Sequence, residues 1–152
     1  MLTYHQTTEE EKYLLSAWEY PGEYAMYNSE PYEVQKRTGS GFANPQNCFY
    51  SFYDGNRLIG YVNLREKETG LFLGMGVHPD ACNQGYGRQI IHIAYEIAQK
   101  QFQHTQLHLI VRAWNARAVR CYEKAGFRME GAPFCQTTPS GEDTFYRMIK
   151  EK

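Results

Sequence analysis

The stretch from Gly76 to Phe102, GVHPDACNQGYGRQIIHIAYEIAQKQF, constrains the fold of this chain more than any other. It begins as the end of a strand, which His78-Pro79-Asp80 breaks. A loop carrying Gly85 and Gly87 follows, and Ile90, Ile91, Ala94, Ala98 and Phe102 then recur at helical spacing. Strand, glycine loop and amphipathic helix form one unit. The first N–H groups of such a helix have no intrahelical partner and lie at the positive end of its dipole, so the unit suits a phosphate or pyrophosphate. Glycine lets the backbone come close to the anion.

Spacing excludes the two commonest phosphate loops. A dinucleotide fingerprint requires a third glycine where Ile90 stands, and an acidic residue about 20 positions on, near Thr105. A Walker-type loop requires Gly-Lys-Ser/Thr at the helix start, where this chain has Gly87-Arg88-Gln89. Cys82-Asn83-Gln84-Gly85-Tyr86-Gly87 instead resembles the acetyl-CoA loop of the GNAT acyltransferase superfamily: Arg or Gln, two residues, Gly, one residue, then Gly or Ala. The preceding Val77-His78-Pro79 matches too, and Cys82 is the departure. Downstream, Val111-Arg112-Ala113-Trp114-Asn115 with Ala118, Tyr122 and Gly126-Phe127 resembles the family's other signature, a strand, an Asn, and a helix that carries a Tyr and ends at Gly-Phe. The likeness is specific between about Leu71 and Phe127. It implies an α/β (α+β) fold: a single GNAT-type domain with a mixed, mostly antiparallel central sheet flanked by helices and split by a bulge at the acetyl-CoA cleft.

Length and composition agree. A chain of 152 residues suffices for one domain over residues 1–152 and is too short for two of ordinary size. Hydrophobic residues at 42% and charged residues at 22% match globular usage and exclude disorder. A net charge of -1 leaves no basic footprint, which argues against nucleic acid as the partner. The N-terminus MLTYHQTTEEEK lacks a basic and apolar leader, and no apolar run has the length of a membrane span, so a cytoplasmic protein without a membrane partner is expected. Cys48, Cys82, Cys121 and Cys135 show no C-x-x-C pairing and the five histidines are scattered, so no metal is expected.

In chain order, Leu2 to His5 reads as a strand, and Thr8-Glu9-Glu10-Glu11 is a capping box opening a helix to about Trp18. Pro21-Gly22 stops it, and Glu30 to Arg37 reads as a second helix starting at Pro31. Cys48 to Tyr53 and Leu58 to Leu64 form a hairpin turning at Asp54-Gly55-Asn56, and Leu71 to Val77 continues the sheet after Thr69-Gly70. Gly74 and Gly76 within that strand imply a bulge or a close backbone approach. Leu107, Leu109 and Val111 alternate as a strand, Asn115 caps a helix through Lys124, and Gly126 ends it. Phe127 to Cys135 and Asp143 to Ile149 read as a closing pair of strands, with Pro139-Ser140-Gly141 between them.

The resemblance implies attack of a neutral amine on the thioester of acetyl-CoA within a ternary complex, by a monomer or homodimer. It places the cofactor against the backbone of Met75, Val77, Asn83, Gln84, Gly85, Tyr86, Gly87 and Arg88, and against Asn115, Ala118 and Tyr122. Cys82 stands in the same loop and adds no charge, while Arg88 either touches phosphate or is a solvated charge. The N–H of Met75 is the expected donor to the acetyl oxygen, and Tyr122 the proton donor to the departing thiolate. Asn115 is a helix cap that also reaches the cofactor. No general base is evident: Leu71 stands where some members carry Glu, leaving Glu66, Glu68 or a water relay. A CoA-binding sensor or interaction module without turnover is the alternative. Between Thr7 and Gly39 the chain has Glu9, Glu10, Glu11, Glu19, Glu23, Glu30 and Glu33 against Lys12, Lys36 and Arg37. An acidic rim of this kind predicts a small cationic amine or a peptide amino terminus as acceptor. Trp18, Tyr20, Tyr24 and Tyr27 are either core or aromatic faces for that cation.

Overall fold

The computed structural model describes residues 1–151. Strand β1 (Leu2–Gln6) leads into helix α1 (Glu9–Ser16), which opens with a complete capping box. The Glu11 N–H donates to the Thr8 hydroxyl at 3.1 Å, and the Thr8 N–H donates to the Glu11 carboxylate at 2.9 Å. The helix stops at Ser16, two residues short of the expected end, and Trp18 turns away to pack against the sheet. A 3-10 segment (Gly22–Tyr27) precedes α2 (Tyr32–Thr38), with Pro31 before its first turn and Gly39 closing it.

Strands β2 (Cys48–Asp54) and β3 (Arg57–Lys67) form the expected hairpin, and β4 (Gly70–Val77) adds to β3 in antiparallel register. Helix α3 (Tyr86–Gln101) crosses to β5 (Gln106–Arg112), which lies parallel to β4, as a helical crossover permits. Then come α4 (Ala116–Lys124), β6 (Arg128–Met129), β7 (Phe134–Thr138) and β8 (Gly141–Glu151). Phe127 to Cys135 is therefore not one strand, as the sequence suggested. Gly131 adopts φ 76° and Pro133 has no N–H for a ladder, so β6 and β7 are separate short strands, both paired to β8. Among the described residues the sheet runs β1-β2-β3-β4-β5-β8-β6, antiparallel except at β4–β5.

Side chains alternate across this sheet. Phe52, Val62, Leu64 and Leu73 pack under Ile90, Ile91, Ala94 and Ala98 of α3, while Phe49 and Tyr61 meet Leu15, Tyr32 and Phe42 from α1, α2 and the loop beyond. Helices thus cover both faces. The functional gap lies in the sheet itself. Strands β4 and β5 bridge at Phe72 and His108, and the pairing does not continue toward Val77. Of the two readings of Gly74 and Gly76, a bulge against β3 is absent, since β4 keeps one register against β3 from Gly70 to Val77. Close approach accounts for Gly76 instead: a Cβ there would stand 2.5 Å from the Tyr61 ring.

Candidate active site

The parting of β4 from β5 exposes backbone groups. The His78 N–H donates to the Ile59 carbonyl at 2.8 Å, which fixes the alternation of the antiparallel ladder. Gly76 and Gly74 then exchange bonds with Tyr61 and Asn63, while Val77 and Met75 direct theirs away from β3, into the gap. The Tyr20 hydroxyl meets the Val77 carbonyl there at 2.9 Å. The Met75 N–H is aimed into the same gap and is suited to a developing negative charge.

The loop after β4 supplies further donors. Gly85 takes the left-handed conformation (φ 82°) as the N-cap of α3 and contributes no side-chain cap, and no acid stands in the first turn. By contrast α1 is capped by Thr8 and α4 by Asn115. The N-terminal N–H groups of α3 therefore lack a capping side chain, and Arg88 sits in that turn, where the dipole alone disfavours a cation. An anion fits this arrangement. Cys82 is half-buried with Sγ 3.5 Å from the His78 carbonyl, and burial pushes its thiol up, so it stays neutral.

Across the gap, the Asn115 Oδ1 accepts from the Ala118 N–H at 3.2 Å and its Nδ2 donates to the Tyr27 hydroxyl at 3.1 Å. Tyr122, seven residues on, packs edge-on against Phe127. Its hydroxyl makes no hydrogen bond among the described residues. Burial pushes this phenol well above its ordinary range, so it remains a neutral donor.

These groups line one cleft of about 620 Å³, which contains Met75, Val77, Cys82, Asn83, Gly85, Tyr86, Gly87, Arg88, Asn115, Ala118 and Tyr122. Of the residues that the resemblance sets against the cofactor, Gln84 alone is not in its wall; its side chain donates to the Asp80 carbonyl. The sequence reading missed Arg117, Arg120 and Lys124, which α4 presents to the cleft. Their i, i+3, i+7 spacing was a usable signal. With Arg88 and Arg112 they make five cations, and among the described residues no carboxylate lines the cleft. Arg112 is paired with Asp143 at 2.7 Å, but Arg88, Arg120 and Lys124 form no ion pair among the described residues. Replacing both Arg120 and Lys124 by Ala is expected to raise the KM for acetyl-CoA about tenfold and to flatten its salt dependence. Initial rates across an ionic-strength series would check this.

Several acceptor-side expectations change. Glu11 is buried and fully engaged, Glu9 bonds the Tyr32 hydroxyl, and Glu33 bonds Tyr13 and Lys36, so the rim is smaller than the acid count suggested. Trp18 sits with Tyr61 and His78 rather than with the tyrosines. Tyr20, Tyr24 and Tyr27 do line the cleft, yet Arg117 lies 4.0 Å from the Tyr24 centroid and Arg112 6.0 Å from that of Tyr27. The protein's own cations take those ring faces. Leu71 is completely buried, and Glu66 pairs with it at the far end of the hairpin, four residues from Met75, or roughly 13 Å along the strand. Neither Leu71 nor Glu66 provides a base at Met75.

A strand pair opened at one end, an uncapped helix facing the opening and a basic wall opposite make a cleft suited to an anionic ligand. Residues 11–127 match the "Acetyltransferase (GNAT) family", and the chain belongs to that family. Its fold is similar to that of a chimera of the Vibrio cholerae spermidine N-acetyltransferase SpeG and hSSAT (TM-score 0.78, 19% identity, 99% of this chain and 95% of that one). It is also similar to the Escherichia coli ribosomal-protein-alanine N-acetyltransferase (TM-score 0.71, 19% identity, 99% and 94%). No curated protein matches the sequence. No helix among the described residues is long and apolar enough to cross a membrane.

Proposed function

We propose that the protein transfers an acetyl group from acetyl-CoA to a primary amine, either a small cationic amine or a peptide or protein amino terminus. The observation that carries this is the cleft in which uncapped α3 N–H groups and five basic side chains face the free Met75 N–H. Neighbouring folds named as spermidine and ribosomal-protein N-acetyltransferases are consistent with an amine acceptor. Bound acetyl-CoA would supply an activated acyl group on a thiol leaving group. The loop from Asn83 to Arg88 would hold its pyrophosphate through backbone N–H groups and the Arg88 charge, and Arg120 and Lys124 would meet its remaining negative charge.

The Met75 N–H then donates to the acyl oxygen as negative charge grows on it. Tyr122 donates its phenolic proton toward the sulfur, and its edge contact with Phe127 holds the ring in place. With no carboxylate at Met75 on the Leu71 side, the amine proton leaves through water. Asn115 orients Tyr27 while it caps α4, and so ties the two walls of the cleft together.

A thermal melt tests the cofactor assignment. At about a hundredfold excess over its dissociation constant, acetyl-CoA is expected to stabilise the fold by about 2.7 kcal/mol and to raise Tm by roughly 5–10 °C. No shift with either acetyl-CoA or CoA would defeat the reading.

A further inference from the structure

A second cleft, of about 460 Å³, opens on the face of the sheet that carries α1 and α2, and it shares Tyr61, Gly74 and Met75 with the first. The two therefore meet at the residue whose N–H is free. Their charges are opposite. Glu30 is the only charged residue lining the second cleft among the described residues, whereas the first has five cations. Phe42 and Phe49, with ring centroids 4.4 Å apart, and Tyr61 provide an apolar wall.

The buried Gln35 ties the Glu30 backbone to that wall. Its Nε2 donates to the Glu30 carbonyl at 2.6 Å, and its Oε1 accepts from the Phe42 N–H at 2.7 Å. Glu30 is an exposed residue at the edge of this cleft, and the volume suits a small molecule rather than a folded partner.

Resting on the acetyltransferase reading above, we propose that this cleft admits the acceptor and that Glu30 selects amines carrying a second cation on a short alkyl chain. The reason is chemical. An amine must lose its proton before it can attack a thioester, so the reacting nitrogen cannot also keep an ion pair with Glu30. A second ammonium keeps its charge throughout, meets Glu30, and leaves the first nitrogen free to reach Met75, while the chain between them lies on Phe42 and Phe49.

Diaminobutane and n-butylamine, matched in length, separate the roles. The wild-type protein is expected to favour diaminobutane by about fivefold or more in kcat/KM. Glu30→Gln should remove that preference through a higher KM for diaminobutane, read against the KM for acetyl-CoA, and Glu30→Lys should reverse it. Equal use of the two amines by the wild type, a preference that survives Glu30→Gln, or a loss confined to kcat would overturn the proposal. If acetyl-CoA raises Tm but neither amine is acetylated, the acceptor assignment fails while the cofactor assignment stands. If acetyl-CoA gives no shift, the underlying reading fails first.

Discussion

Tyr122→Phe is expected to lower turnover by a factor on the order of 10² while leaving acetyl-CoA affinity nearly unchanged. The substitution removes one hydroxyl and keeps the ring that packs against Phe127, so the fold and the cleft wall persist. Only the proton supplied to the leaving sulfur is lost. Because burial pushes the Tyr122 phenol above its ordinary range, the wild-type kcat should show no descending limb from this group through neutral and mildly alkaline pH. Steady-state kinetics on any accepted amine, with acetyl-CoA binding measured separately, would check both statements. Wild-type turnover in the Phe variant would reduce Tyr122 to packing.

The second large effect concerns stability. Burial alone would raise the Glu11 carboxyl, but hydrogen bonds from Tyr53, the Thr8 N–H, His5 and Ser51 outweigh it and lower the group from 4.5 to about 2. A carboxyl depressed in the folded state stabilises the protein above its unfolded value and loses that contribution as pH falls. The difference corresponds to about 3 kcal/mol, present above about pH 5 and fading toward pH 2. Glu11→Ala removes the acceptor that these donors share, and is expected to cost about 3 kcal/mol at neutral pH. Urea unfolding at about pH 7 and about pH 3 would show the wild type and the variant converging as the solution is acidified. A variant with the wild-type acid profile would mean that the cluster holds no charge.

Both results depend on features with different visibility in the sequence. The capping box at Thr8, the hairpin turn at Gly55, the Asn115 cap and the glycine loop before α3 were all legible, because each is decided by residues within a few positions of one another. The family resemblance, rather than any local rule, set Tyr122 and Met75 in one cleft, and both line it. Local rules placed Glu11 correctly in the capping box but also counted it in an acidic rim. A first-turn acid looks solvated until Ser51 and Tyr53 arrive from β2, some 40 residues away in the chain, and bury it.

What local rules left open or misjudged shares a cause. Gly76 allowed either a bulge or a close approach, and the Tyr61 ring on a neighbouring strand makes it a close approach. The tyrosines of the Gly22–Tyr27 segment suggested a cage for a foreign cation, yet Arg112 and Arg117, from β5 and α4, already cover two of the rings. Arg120 and Lys124 drew no reading from the sequence, and only the packing of α4 turns them toward the opening of β4 from β5. Sequence by itself determined most of the elements, their caps and the glycine loop before α3, since backbone hydrogen bonding and side-chain periodicity act over one or two turns. Only the tertiary structure decided which charges are buried, which rings are already occupied and where the two clefts meet, because those depend on distances between segments that no local preference sets.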